Sequence, residues 1–293
     1  DFPFGQAAML FQAIYLEGLA RPAEGVRLLL RVLLEKYREA GGERRMKCGV
    51  RAIRTAGGRA TALVLDDGSE VSADRILSSI GGAETAALVE APAGANEPAA
   101  PRPPRPGVVT YVETLTVLDR EPRELGWTDT MVFFNEGTDF HYERPAAPVD
   151  PRSGVLCLPN NFRYTDAERP REGLLRVTSL ANYEAWAGAE PAAYAEMKRV
   201  WFERVQRSAR RFLPAVPEAA FAAATRATDM FTPRTIERFT GHRHGAIYGS
   251  PDKRPRGDIG LSNLHLCGTD QGLLGIVGSM ISGITMANLH LLS

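Results

Sequence analysis

Apolar residues recur at helical spacing through Val26, Leu29, Leu30, Val32, Leu33 and Tyr37, and Gly41-Gly42 ends the run. That pattern predicts an amphipathic helix of about four turns. Residues 6–19 upstream are also apolar and helix-compatible, and Arg21-Pro22-Ala23-Glu24-Gly25 separates the two segments. Downstream the period shortens to that of strands. Segments 44–55 (broken at Gly49), 60–65, 70–72 and 75–80 are punctuated by Gly57-Gly58 and Asp66-Asp67-Gly68, which predicts hairpins. Segments 108–118, 130–135, 154–158 and 174–180 alternate apolar and polar residues, as a sheet with one covered face does. A long helix is expected over 191–212, with Pro191 at its start and Tyr194, Met197, Trp201, Val205 and Phe212 on a core-facing stripe.

The tail, residues 263–292, combines three elements. A short strand, Leu264-His265-Leu266-Cys267, runs into a turn carrying Gly268, Gly272, Gly275 and Gly278, and a helix-length apolar segment expected to be buried closes the chain. Glycines let a backbone approach a ligand closely, and the first amides of a helix offer partial positive charge to a phosphate, carboxylate or polarised carbonyl. The same spacing also suits a packed strand-to-helix corner with no ligand.

Composition narrows the class. The 293 residues are 44% hydrophobic and 24% charged, in the range of a globular protein with ample core. A formal net charge of zero provides no field to gather nucleic acid. Cys48, Cys157 and Cys267 are odd in number and far apart, so the expectation is a reducing, cytoplasmic setting without disulfides. His242-x-His244 on a strand would place two rings on one side. Among His141, His242, His244, His265 and His290, however, no cysteine or carboxylate cluster completes a ligand set, and no metal is expected. No G-x-S-x-G elbow supports hydrolysis. No stretch reaches the roughly 18 apolar residues of a membrane span. Two basic groups, Arg207, Arg210 and Arg211, and Lys253, Arg254 and Arg256, read as solvated faces or a peripheral contact with a phospholipid surface. Residues 91–107, rich in Pro and Ala, read as a linker. Asp1-Phe2-Pro3-Phe4-Gly5 has neither an initiator Met nor the charged start of a signal peptide, so the chain is expected to be part of something longer.

The tail resembles the C-terminal signature of the phytoene desaturase, carotenoid isomerase and retinol saturase branch of the FAD-dependent, amine-oxidase-like superfamily. The matching residues are NLHL-x-G followed by GIVGSMISGITMA, with Gly275, Gly278, Ser282, Gly283 and Ala287 on the family pattern. Two further stretches are similar to the same family: the helix, Gly41-Gly42-Glu43, hairpin and RILSSIGG run, and Thr232-Pro233, Gly241 and Gly245-Ala246-Ile247-Tyr248-Gly249. The loop departs from the pattern, with Asp270-Gln271-Gly272-Leu273-Leu274 where the family often carries Pro-Gly-Gly.

The resemblance implies an α/β architecture. It consists of a partial FAD-binding domain (20–90 and 255–293), a mixed-sheet substrate-binding lobe with covering helices (1–19 and 108–254) and the linker 91–107. It implies FAD as cofactor, held by Gly268, Thr269, Asp270, Gly275, Ile276, Val277 and Gly278, with Val50 against the adenine; Asp270 lies near the ribityl chain or faces solvent. No catalytic side chain is implied. The strand, G-x-G-x-x-G loop and helix that grip the FAD diphosphate are missing. An N-terminal half, in the same polypeptide or as a separate chain, is therefore the expected partner, and the isolated chain is expected to be inactive. The implied reaction is desaturation, saturation or isomerisation of an apolar polyene or isoprenoid. A degenerate lipid-binding subunit and an amine oxidase are the alternatives.

Overall fold

The computed structural model describes residues 4–18, 20, 22, 24–90, 103–139 and 142–292, apart from the side chains of Gln6, Ala7 and Leu10. His141 and most of the Pro-rich segment lie outside the described residues. The chain divides into two compact units, 1–107 with 248–293, and 108–247. The division differs from the expected one in grouping 1–19 and 248–254 with the tail rather than with the central sheet.

The first unit opens with α1 (Phe4–Gln12), a π-helical turn over Ala13–Glu17, and α2 (Val26–Glu39). Strands β1 (Val50–Ala56), β2 (Arg59–Leu65) and β3 (Glu70–Val71) form an antiparallel sheet in that order. The expected strand before Gly49 does not form: pairing starts at Val50, and the Gly49 amide instead donates to Asp66 Oδ2 at 2.8 Å. Strand β4 (Ile76–Ser78) leads into α3 (Gly82–Leu88).

In the second unit β5 (Thr110–Leu118), β6 (Met131–Asn135), β7 (Ser153–Cys157), β8 (Gly173–Ala181) and β9 (Thr225–Phe231) make one sheet in the order β6-β7-β8-β5-β9. Every pairing in it is antiparallel, where a mixed sheet was expected. None of its adjacent strands is joined by the right-handed crossover that parallel pairing needs. Helices α4 (Tyr183–Ala187), α5 (Pro191–Arg210), α6 (Glu218–Ala224) and α7 (Pro233–Thr240) complete the unit. The chain then returns to the first unit, where β10 (Leu264–Leu266) pairs in parallel with β4 and α8 (Gly275–His290) follows.

The core of the second unit lies between α5 and one face of the sheet. Val112, Leu156, Leu175, Val177, Trp186 and Val205 are fully buried there, and Tyr194, Met197 and Trp201 pack on the same cluster, as the helical stripe predicts. Trp127 and Trp186 bury their rings while their indole N–H groups donate to the carbonyls of Pro214 and Pro148. That satisfies the polar end of each side chain.

Strand β5 inverts the usual polarity. Its covered face carries Thr110, Thr114 and Thr116 beside Val112 and Leu118, whereas Tyr111, Leu115 and Val117 lie half-buried on the opposite face with Glu113. Gln206 of α5 donates to Thr114 Oγ1 at 2.8 Å, so part of the threonine row is satisfied from the helix.

Leu156 is wholly buried, and its register partners are Val132 and Val177. Leu156→Ala should cost about 2–5 kcal/mol through lost burial and a residual cavity. Phe133, on the next strand and the opposite face, is 42% exposed, and Phe133→Ala should cost less than half as much. Urea unfolding of the two variants measures the difference, and equal losses would show that the α5 face is not where the core lies.

Candidate functional site

The tail folds around a buried carboxylate. Asp270 is 2% exposed, which removes the expectation that it faces solvent. Its Oδ2 accepts the Gly82 amide at 2.6 Å, and its Oδ1 accepts the Ser250 amide at 2.7 Å. Gly82 opens α3, so the carboxylate sits at that helix's first turn. Lys253, 7% exposed at its side chain, lies with Nζ 3.7 Å from Asp270 Oδ1 and donates to the carbonyls of Tyr248 and Thr269. Burial pushes the Lys253 ammonium below lysine's ordinary range, opposed by the Asp270 charge.

Two glycines are required at this node. Gly249 has φ +63°, and a Cβ there would overlap Asp270 Oδ1; Gly81 has φ +109°, beside Glu84 and Asp270. The Asp270 carbonyl accepts the Arg254 amide at 2.9 Å, and Gln271 Nε2 donates to the Pro255 carbonyl at 2.7 Å. Segments 81–82, 248–255 and 268–271 are thus tied together through one side chain. Lys253 is a caged internal cation, not part of a solvated basic face. Two residues of the other basic group are paired as well: Arg210 lies over the Phe221 ring at 4.0 Å and binds Glu218, and Arg211 binds Glu136.

From this anchor the loop passes through Gly268 (φ +81°), Gly272 and Gly275 (φ +75°) into α8. Ser282, fully buried about two turns into the helix, accepts the Gly268 amide at 2.7 Å, so the helix's own side chain fixes the end of β10. Gly278 is needed because a Cβ there would lie 2.8 Å from the Leu273 carbonyl carbon. The first turn of α8 has no side-chain cap, and Ile276 and Val277 are 52% and 68% exposed. The helix was expected to be buried; among its residues only Ser282 and Met286 are, and Ile281 and Ile284 are exposed.

The expected residues therefore group in part. Gly268, Thr269, Asp270, Gly275, Ile276, Val277 and Gly278 share one loop and helix start. Val50 is elsewhere: it packs with Ile53, Ala60 and Leu264, at the start of β10, whereas the loop leaves that strand's other end. Gly81, Gly82, Gly249, Ser250 and Lys253 were not expected as site residues. For the three glycines the signal was present in the IGG that follows the β4 strand and in the GA-x-x-G run; Ser250 and Lys253 lie outside both motifs.

An uncapped, exposed helix start leaves its first N–H groups free for an acceptor. Such a tip matches a ligand edge rich in acceptor atoms. Nothing in the chain has the form of a diphosphate-binding G-x-G-x-x-G turn.

His242 and His244 do not share a strand. His242 precedes a 3-10 turn, Arg243–Gly245, in which His244 is left-handed (φ 59°), and no group of three or more potential metal ligands occurs among the described residues. No helix among the described residues is long and apolar enough to cross a membrane.

Neither a family model nor a curated protein matches this chain. Solved structures do. An oxidoreductase from Methanosarcina mazei aligns with a TM-score of 0.56 at 13% identity, covering 90% of this chain and 54% of its own. A protein from Pyrococcus furiosus aligns at 0.49 and 14% identity, covering 92% and 54%. The myxobacterial chondrochloren halogenase CndH, described as a variant of FAD-dependent halogenases, aligns at 0.39 and 12% identity, covering 87% and 48%. The chain is thus similar in fold to an oxidoreductase, is mixed α/β with several sheets, and spans about half the length of the structures it matches.

The far end of α8 is held by a stacked imidazole pair. His265 of β10 and His290 face each other with ring centroids 3.6 Å apart and planes 6° from parallel. His290 Nε2 donates to the Arg256 carbonyl, and Arg75 donates to the His290 carbonyl. His265 is buried with its Nδ1 unpartnered. Burial lowers its pKa, the charge of His290 and then Arg75 lower it further, and Asp258 opposes them. The folded state therefore binds fewer protons here than the unfolded state. The stability this gives is complete above the ordinary histidine value of about 6.5 and is lost as pH falls through the depressed folded value. His265→Phe keeps the stack but cannot titrate, so the drop in urea midpoint between about pH 8 and about pH 5 should be smaller in it than in the native chain. The same drop in both would remove the histidine pair as its cause.

Proposed function

We propose that this chain is the part of an FAD-dependent oxidoreductase that closes over the pyrimidine edge of the flavin, with Gly275 to Gly278 offering the α8 amides to the ring. The observation that carries this reading is the uncapped, exposed start of α8, held in place from behind by Asp270 and Ser282. A helix start preorganised in this way stabilises negative charge without reorganising. FAD would supply the hydride chemistry, so the protein's share is to orient the ring and to exclude water. On this reading the substrate has an apolar polyene or isoprenoid body, the reaction is of the desaturase, saturase or isomerase type, and Val50 borders the adenine.

The diphosphate clamp would come from a dinucleotide-binding half. The exposed apolar residues of α2, among them Val26, Leu30 and Leu33, suit such a partner, since no residue of that 14-residue helix is buried. Without that half the flavin should bind weakly, because α8 offers one helix start and no phosphate cradle.

Purified alone, the chain should be colourless; produced together with a dinucleotide-binding half, it should be yellow. Val277 is 68% exposed, so Val277→Glu should leave the fold of the chain intact while placing a carboxylate against the ring edge. The reconstituted Val277→Glu complex should lose most of its flavin absorbance. Tight stoichiometric FAD on the chain alone, or a fully yellow Val277→Glu complex, would refute the assignment.

A further inference from the structure

The second unit carries an apolar surface that its own core does not use. On the sheet face opposite α5, Phe133 and Phe231 are each 42% exposed, and Met131, Leu115, Val117 and Leu174 are half-buried. They belong to strands β6, β9, β5 and β8, so the patch crosses most of the sheet. The polarity of β5 reinforces this, because its threonines point toward the covered face and its Leu115 and Val117 away from it. A sheet with one solvated face ordinarily shows the reverse.

Charged groups interrupt the patch: Asp229 of β9, which stands opposite Leu115 and lies 3.3 Å from Lys198, and the pair of Glu113 with Arg176. Arg176 of β8 stands opposite Leu115 of β5 and Cys157 of β7, and Glu113 stands opposite Thr178 and Phe231. Arg176 Nε and Nη2 both approach Glu113 Oε1. Glu113 is only 14% exposed at its side chain, whereas Arg176 is 47% exposed. Its Nη1 donates to no residue among those described. The glutamate thus fixes the guanidinium plane, and the arginine presents the rest of its fork outward.

Any apolar body covering this face would strip water from those outward N–H groups. Leaving them unmatched is costly, so a pure hydrocarbon is a poor occupant. A carboxylate matches a guanidinium fork in shape and charge. We propose that the open face of the β6-β7-β8-β5-β9 sheet binds an amphipathic carboxylate, with its apolar body along Leu115, Val117 and Phe133 and its carboxylate on the outer edge of Arg176. Glu113 is a positioning residue for that arginine. The proposal rests on reading this unit as the substrate-binding lobe of the oxidoreductase, and it narrows the substrate from an apolar lipid to one with an acidic end.

The test uses the whole chain without flavin, so its outcome is separate from that of flavin reconstitution. Calorimetric titration with hexadecanoate should give binding about tenfold or more tighter than hexadecan-1-ol, a fold-change typical of one charged hydrogen-bonded contact. Arg176→Met should bring the acid down to the level of the alcohol and leave the alcohol unchanged. Because Arg176→Met strands Glu113, the double variant Glu113→Gln/Arg176→Met serves as a neutral companion and should behave alike, with native far-ultraviolet dichroism confirming its fold. Equal binding of acid and alcohol, binding of neither, or undiminished acid binding in the folded double variant would overturn the proposal.

Discussion

The Asp270 carboxylate is the constraint from which the proposed cofactor end of this chain follows. A buried carboxylate is tolerable only when it is hydrogen-bonded and its charge is offset; here two backbone amides donate to it and a caged ammonium lies 3.7 Å away. Those partners come from two separate stretches of chain, 81–82 and 248–255. The loop after β10 therefore cannot move without breaking all three contacts, and the exposed start of α8 inherits its position from that loop. The glycines around the node follow from the same requirement, since Gly249 has no room for a Cβ beside the carboxylate.

A second device joins the small sheets beneath this loop. Asn263 accepts the Ala60 amide through its side-chain oxygen and donates its side-chain nitrogen to the Ala60 carbonyl, while its own carbonyl accepts the Ile76 amide. One side chain thus mimics a strand partner for β2, and its backbone extends the β4 ladder. Leu264 then packs on Ile53 and Ala60. The parallel pair β10-β4 is only three residues long on each strand, and this cross-linking compensates for so short a ladder.

The second unit divides its labour between the two faces of one sheet. The α5 side holds the tryptophans and the fully buried aliphatics; the other side is apolar yet open, with the oriented Glu113–Arg176 pair within it and Asp229 on its edge strand. An open apolar face carries a solubility cost in an isolated chain, and a bound ligand or partner offsets it.

Periodicity alone determined the helix after Gly25, the long helix from Pro191, the hairpin around Gly57-Gly58 and the strand, glycine turn and helix of the tail, because each has a local pattern strong enough to specify its own backbone. It also marked the loop at 268–278 as glycine-rich, a spacing that suits either a ligand cradle or a packed corner. Helices α3, α6 and α7 and strand β9 were not legible: they are short, and what holds them is packing against distant residues. The role of Asp270 was equally hidden. A carboxylate in a glycine-rich loop is ordinarily solvated, and only the approach of Gly82, Ser250 and Lys253, far away in the chain, turns it into a buried anchor. Local pattern decides which segments fold on themselves; which charges are taken out of water is decided by what the folded chain brings beside them.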